Sequence, residues 1–308
     1  MHDSVRNGFN AFSEPLESRE HVMYLDVKSL VSTGVGNLLD ADDPENFGSN
    51  PVPLPDIFTL DWQDRDTGVP ADPAAIEEEY RKIKFSGTAN APIGQKRALA
   101  RLVVPDGSVD ALITRKLDDF EASLRGRPPF AGYDGWPAPG QLGLLSMAWA
   151  MGPMFRFPHF EAAAAGGDWL TMARECRMTE AGNPGVIPRN VRDGLLFTLA
   201  GWVTDRGGDI TDLVYDPARP LNANLRSGAL PVPLNLLIGV QTALETLGMD
   251  PHGLDGVAGP GTRGALTTFQ GANGLTLTPA AGGIDDVPEE TIAALAAQLD
   301  ARGVARFP

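Results

Sequence analysis

The chain has 308 residues, 43% of them hydrophobic and 21% charged, an ordinary balance for a folded globular protein with room for one medium and one small domain. Its formal net charge is −15, and its five lysines all fall at or before Lys116. This argues against a nucleic-acid partner, which needs clustered Lys and Arg.

The first predicted helix starts at Ser13-Glu14-Pro15-Leu16, with Ser13 as cap and Pro15 in the first turn, runs to about Tyr24 and breaks near Asp26. On such a helix Glu17 and Tyr24, two turns apart, share a face. Residues 27–40 alternate apolar with small or polar residues and carry Gly34 and Gly36, which predicts a hairpin of short strands that folds Asp26 and Ser32 back towards Glu17. Residues 41–73 turn to Asp, Pro, Asn and Gly and read as a surface insertion, ordered in part, with Phe58, Leu60 and Trp62 as anchors. Helical periodicity resumes at 73–80 and at 106–124, where Val109, Leu112, Ile113, Leu117 and Phe120 keep one face, and again at 141–151, 160–172 and 190–203. The run 142–155 is broken by Ser146, Gly152 and Pro153 and is too short for a membrane span.

Turn formers crowd residues 214–231, which are read as a linker between a first domain, 1–213, and a second, 232–308. In the second, Leu254-Asp255-x-Val257 followed by Thr262 recurs as Ile284-Asp285-x-Val287 followed by Thr291. Each copy reads as a tight turn feeding a helix, and a helix around 234–247 makes three. Cys176 stands alone, which excludes an intrachain disulfide; it is read as a structural thiol, since no Cys/His spacing makes it a nucleophile. His2, His21, His159 and His252 show no ligand spacing, so no metal and no cofactor is expected. The start of the chain shows no secretory pattern, so synthesis in the cytoplasm is expected.

Glu17, Tyr24, Asp26, Ser32 and then Gly34-Val35-Gly36-Asn37 resemble, in spacing, the motif of the phage-type lysozymes related to the T-even bacteriophage enzyme. The segment 145–153 is similar to that family's Ser-Leu-x-x-Asn-x-Gly helix, and Arg189-Asn190-x-Arg192 to the helix start at which an arginine partners the catalytic Glu. The resemblance implies a mostly α, lysozyme-like α+β domain with a small β-hairpin region. It implies that Glu17 is the general acid for cleaving the β-1,4 bond between N-acetylmuramic acid and N-acetylglucosamine, with inversion. Asp26 and Ser32 would then position the attacking water, Tyr24 would contact substrate, and Arg189 and Arg192 would support the site. Ser32 stands where the family has Thr, and Asn37 where it has His. A carboxyl near its ordinary pKa of about 4.3 is mostly ionised at neutral pH, so an acid at Glu17 requires surroundings that favour its protonated form.

Residues Gln241, Leu247-Gly248, Asp255-Gly256, Gly259, Thr262, Phe269-Gln270 and Gly274-Leu275 are similar to the pattern of three-helix peptidoglycan-binding domains. That similarity implies peptidoglycan as partner, with Asp255, Thr262 and Gln270 as candidate contacts. A net charge of −15 is unexpected for a protein approaching an anionic wall, so capture would rest on hydrogen bonds and shape. Action in the periplasm or cell wall then requires delivery, which brings a holin, a secretion apparatus or an immunity protein into question as further partners, as for a phage endolysin or an antibacterial effector.

Plainer readings remain at each position: Glu17 as a solvated helix acid, Asp26 as a turn residue, Ser32 as an ordinary strand serine, Tyr24 as core, and both arginines as structural partners of acids. At the level of function, a lytic transglycosylase needs a single Glu and no water activator, and a non-catalytic wall-binding structural protein needs neither.

Overall fold

The computed structural model describes residues 1–40, 52–228, 230–279 and 286–307. The fold is mostly helical with few strands. It divides into two compact units, one of Met1–Phe9 with Phe120–Pro308 and the other Asn10–Asp119.

Helix α1 spans Asp3–Glu17 and buries Val5, Phe9 and Phe12, a spacing that gives one apolar face. That face starts the helix well before Ser13. Ser13 is therefore a buried interior residue and not a cap, and Pro15 lies in the last turn. Ser18 then takes a left-handed φ of +57°, and the chain enters strand β1, Glu20–Leu25. Tyr24 is consequently a strand residue. The expected helix through Tyr24 fails because the left-handed Ser18 breaks the helix and the segment from Glu20 to Leu25, with β-branched Val22 and aromatic Tyr24, pairs with a neighbour.

Strands β2, Val31–Gly34, and β3, Asn37–Leu38, complete an antiparallel sheet in the order β1-β2-β3. Its register sets Tyr24 opposite Ser32, Leu25 opposite Val31 and Thr33 opposite Asn37. Residues 41–51 of the expected insertion lie outside the described residues. Beyond them, a 3-10 turn at Pro55–Thr59 buries Ile57, and Leu60 and Trp62 are buried, whereas Phe58 is 44% exposed and anchors nothing.

Strand β4, Gln63–Asp64, pairs with β5, Leu102–Val103. Between them come α2, Pro73–Lys84, whose first turn is capped by Asp72 accepting from Ala75 N at 2.8 Å, and α3, Ile93–Leu99. Helix α4 follows at Asp106–Arg125. A buried ion pair fastens α2 beneath the sheet. Lys84 Nζ donates to Asp40 Oδ2 at 2.5 Å and to Ser29 O at 3.1 Å, Tyr80 OH donates to Asp40 Oδ1 at 2.6 Å, and Val31 N to Asp40 Oδ2 at 3.1 Å.

In the other unit, α5, Ala138–Met151, is buried from Ala138 to Ala148, as an all-round apolar helix must be. The periodicity expected over 160–172 divides into α6, Pro158–Gly166, and α7, Trp169–Glu175. Gly167 at φ +70° ends the first, and Asp168 caps the second by accepting from Thr171 N at 3.0 Å. Helix α8, Ile187–Arg206, packs on both α5 and α7. Its approach to α5 needs glycine, since a Cβ on Gly143 would lie 2.9 Å from Phe197 Cζ.

The segment read as a linker carries helix α9, Leu221–Arg226, and buries Leu225 and Leu230 in one cluster with Leu195, Leu199 and Phe307. Turn-forming composition concealed these leucines. The last three helices are α10, Leu237–Thr246, α11, Pro260–Asn273, and α12, Glu289–Ala301. They close around Val240, Leu244, Leu266, Phe269, Leu295 and Leu299. The chain end returns to this module, with Phe307 N donating to Val232 O at 3.1 Å. Ile284 and Asp285 of the second repeat lie outside the described residues.

Candidate functional site

Glu17 is the last residue of α1, and its carboxylate rests on the turn between β2 and β3. A Cβ on Gly36 would lie 3.2 Å from Glu17 Oε2, and Gly36 has φ +73°, so both the turn and the close approach call for glycine. Asn37 holds that turn, its Oδ1 accepting from Val35 N at 3.0 Å.

Tyr24 and Ser32 are directly opposed, and opposed residues send their side chains to the same face of a sheet. The Tyr24 phenol is pushed above its ordinary pKa, first by burial and then by the carboxylates of Glu17, Asp26 and Glu20. Ser32 is therefore paired with Tyr24, and the carboxylates of Glu17 and Asp26 both lie within electrostatic range of its phenol. These four residues come from a helix end, a strand, a turn and a second strand, and not from one helix face.

Asp26 also does the work of a turn. Its Oδ1 accepts from Lys28 N at 2.8 Å and Leu30 N at 2.9 Å, while its backbone N donates to Leu30 O at 2.8 Å. This fixes the carboxylate's direction. Ser32 is only 4% exposed. Lys96 on α3 joins the group: its Nζ lies 6.0 Å from the centre of the Tyr24 ring and donates to Ala89 O at 2.8 Å, and burial lowers its pKa while Asp26 opposes that shift. No sequence pattern marked Lys96, because α3 is separated from β1 by some seventy residues and only the tertiary fold brings them together. Chemically, this face offers a carboxyl, a phenol, a hydroxyl and an oriented second carboxylate beside a cation.

Arg189 and Arg192 lie on α8 in the other unit. Arg189 Nη1 donates to Ser146 Oγ at 2.9 Å and to Ser146 O at 3.3 Å. Burial lowers the Arg192 pKa, with the Arg189 charge adding to the shift. Next to Arg192, Asp193 is fully buried and its carboxyl is pushed up to about 7, chiefly by desolvation, against the opposing pull of Arg189, of nearby Ser146 and of Arg192. Neither Asp193 oxygen has a hydrogen bond of ordinary geometry among the described residues. Cys176 is buried as expected for a structural thiol, and burial raises its pKa. Among the described residues no group of three or more His, Cys, Asp or Glu could hold a metal ion, and no helix is long and apolar enough to cross a membrane.

In the C-terminal module the candidate contacts are hydrogen-bonded within the module. Gln241 Nε2 donates to Asp255 Oδ1 at 2.8 Å, Thr262 Oγ1 at 2.9 Å and Val257 O at 3.0 Å, and its Oε1 accepts from Gly256 N at 2.8 Å and Asp255 N at 3.1 Å. One helix later Gln270 Nε2 donates to Thr278 Oγ1 at 2.8 Å and Thr291 Oγ1 at 3.0 Å, while its Oε1 accepts from Thr278 N at 3.0 Å. The sequence repeat thus encodes a repeated clamp, in which a helix glutamine ties down the next loop and the threonine that opens the next helix. Thr262 and Gln270 are buried, and Asp255 is exposed. Gln241 was visible in the motif, but its role as the hub was not.

The architecture is that of a small sheet-bearing unit and a helical unit that ends in a three-helix module. Residues 236–283 match the family model described as "Putative peptidoglycan binding domain", which indicates association with peptidoglycan. No curated protein matches the chain.

Proposed function

We propose that this chain is a peptidoglycan hydrolase of the muramidase type, with residues 1–213 as the lysozyme-like catalytic domain, 214–231 as the connection and 232–308 as the wall-binding domain. One observation carries the reading: the Glu17 carboxylate lies against the bare Cα of Gly36, with the Tyr24 phenol under the influence of both Glu17 and Asp26 and paired in register with Ser32. The indicated association with peptidoglycan supplies the polymer on which such a carboxylate pair would act.

In this mechanism Glu17 protonates the leaving glycosidic oxygen between N-acetylmuramic acid and N-acetylglucosamine. Asp26, oriented by its two backbone donors, draws a proton from water on the opposite side of the sugar ring, and Ser32 helps to aim that water. The new C–O bond forms with inversion as the old one breaks. Tyr24 lines the sugar site, while Arg189 and Arg192 support the helical unit. Binding through the C-terminal module raises the effective concentration of the catalytic face on an insoluble polymer. The protein would act in the periplasm or cell wall after delivery, as an endolysin or an antibacterial effector.

A second reading, a lytic transglycosylase, is favoured by the burial of Ser32, since a hydroxyl that is 4% exposed is poorly placed to hold a water and that reaction needs none. Digestion of purified peptidoglycan by the wild type and by Glu17→Gln, with mass spectrometry of the fragments, separates the two. Reducing muropeptides from the wild type alone support the muramidase. Anhydro-sugar products support the transglycosylase. No products, with retained binding to the wall, would leave a non-catalytic wall-binding protein.

A further inference from the structure

Two hollows in the helical unit meet at Arg174, Asn235 and Phe307. The narrower, about 390 Å³, is walled by the start of α7 and the outer face of α8, including Trp169 and Trp202. The wider, about 710 Å³, runs along α12, where Ile292, Ala293 and Ala296 form an apolar wall facing Leu234. Both volumes fall within the range of about 300–1,000 Å³ usual for ligand sites.

The lining is mixed in a particular way. Trp169 is wedged so tightly that a Cβ on Gly140 would lie 2.8 Å from its ring, and it meets Trp136 edge-on at 5.2 Å. Trp202 meets Phe307 edge-on at 5.9 Å. Indoles held in this way cost little entropy to use as a binding surface. The Asn235 amide is held by a 3.3 Å donation to Thr198 Oγ1. Arg174, exposed where the hollows meet, forms no hydrogen bond or ion pair with any of the described residues. The nearby Asp168 is instead engaged by the backbone N and hydroxyl of Thr171. Arg306, at the far wall, is spent on Asp300. A guanidinium with its hydrogen-bond donors unspent, whose charge acts on Asp168 only at a distance, next to rigid aromatic walls and an amide, fits a ligand that joins apolar sugar faces to a carboxylate.

We propose that this groove is a second peptidoglycan-binding site, which takes a muropeptide with its amino-sugar against the tryptophans and a stem-peptide carboxylate on Arg174. The inference rests on the association with peptidoglycan and is independent of any chemistry at Glu17. The groove adjoins the core of the C-terminal three-helix module, sharing Leu234 and Val287 with it, and its walls flank the family-matched residues 236–283 on both sides in sequence. The buried clamp residues Thr262 and Gln270 leave that module's outer walls as the surface open to a ligand.

The test uses the full chain carrying Glu17→Gln, so that turnover does not intervene, alongside the same chain with Arg174→Gln or Ala293→Trp added. Both added changes fall on exposed positions, and unchanged circular dichroism checks the fold. Calorimetry measures a soluble disaccharide-tetrapeptide and chitotetraose, and sedimentation measures insoluble sacculi. The expected result is a loss of about tenfold or more in muropeptide affinity with Arg174→Gln, as for removal of a charge-assisted hydrogen bond. Ala293→Trp should weaken it as well, and chitotetraose should bind weakly and ignore Arg174. Muropeptide affinity unchanged in both variants while sacculi still sediment the protein would overturn the groove and leave wall association standing. Equal binding of the two ligands would overturn the carboxylate assignment. A parent chain that binds neither muropeptide nor sacculi would overturn both the groove and the wall association.

Discussion

The sheet face around Glu17 and the clamps of the C-terminal module use polar motif residues in opposite ways. Gln241 and Gln270 spend their amides on loop backbone and threonine hydroxyls inside the module, as a buried amide must if it is not to cost stability. On the sheet face, Asp26 spends one oxygen on its own turn, and Glu17 and Asp26 both act electrostatically on the phenol of Tyr24. A motif residue is thus no guide to function until its hydrogen bonds have been traced. The module's signature is mainly a recipe for folding three short helices, whereas the sheet's signature concentrates charge at one place.

This contrast can be broken by experiment. The largest effect is expected at Glu17: Glu17→Gln should lower peptidoglycan turnover by about 10²–10⁴-fold, the range for loss of a general acid, with an unchanged melting temperature. A melting temperature that drops with it would make Glu17 a structural residue. Lys84→Met should cost about 3–5 kcal/mol in urea unfolding, because it leaves Asp40 buried and charged without its cation. Gln241→Leu should cost about 1–3 kcal/mol by stranding the backbone donors of Asp255 and Gly256, and it should weaken sedimentation with sacculi only in proportion to unfolding.

Asp193 gives a pH test. Its carboxyl is raised to about 7 in the fold, against about 3.9 when unfolded. The stability it contributes is therefore fully present below about pH 4 and is lost as pH rises through about 7. The melting temperature should fall between about pH 4 and 7, and Asp193→Asn should flatten that slope. An identical slope in the variant would reject the assignment. A small effect on stability is expected for Asp26→Asn, which keeps an oxygen to accept from Lys28 N and Leu30 N. The free energy of unfolding should stay within about 1 kcal/mol of wild type, as for a substitution that leaves the local bonds in place. A tenfold or larger loss of turnover, of the order seen for an aiming group, would separate its catalytic role from its turn.

Much of the helical structure was legible. The apolar faces of α2, α4 and α8 repeat at helical period, and the glycines at 34 and 36 signal a tight turn without reference to anything distant. Where local preference misled, a tertiary partner had overridden it. Tyr24 sits in a segment that could continue a helix, and it became strand because Ser32 offered a ladder. Leu225 and Leu230 sit among turn formers, and they are buried because α8 and α10 present leucine and isoleucine to them. Phe58 looks like an anchor, yet Ile57 beside it took the interior.

The sequence by itself determined the helix faces, the turn glycines, the doubled Asp/Thr pattern of the last module and the spacing of the Glu17 motif, because each depends on neighbours within a few residues. Only the tertiary structure decided which polar groups are spent and which remain. Asp40 meets Lys84, Gln241 meets Thr262 and the charge of Asp26 reaches Lys96 across long stretches of chain. A buried donor or acceptor must find a partner wherever the packing places one, and no local spacing encodes that choice.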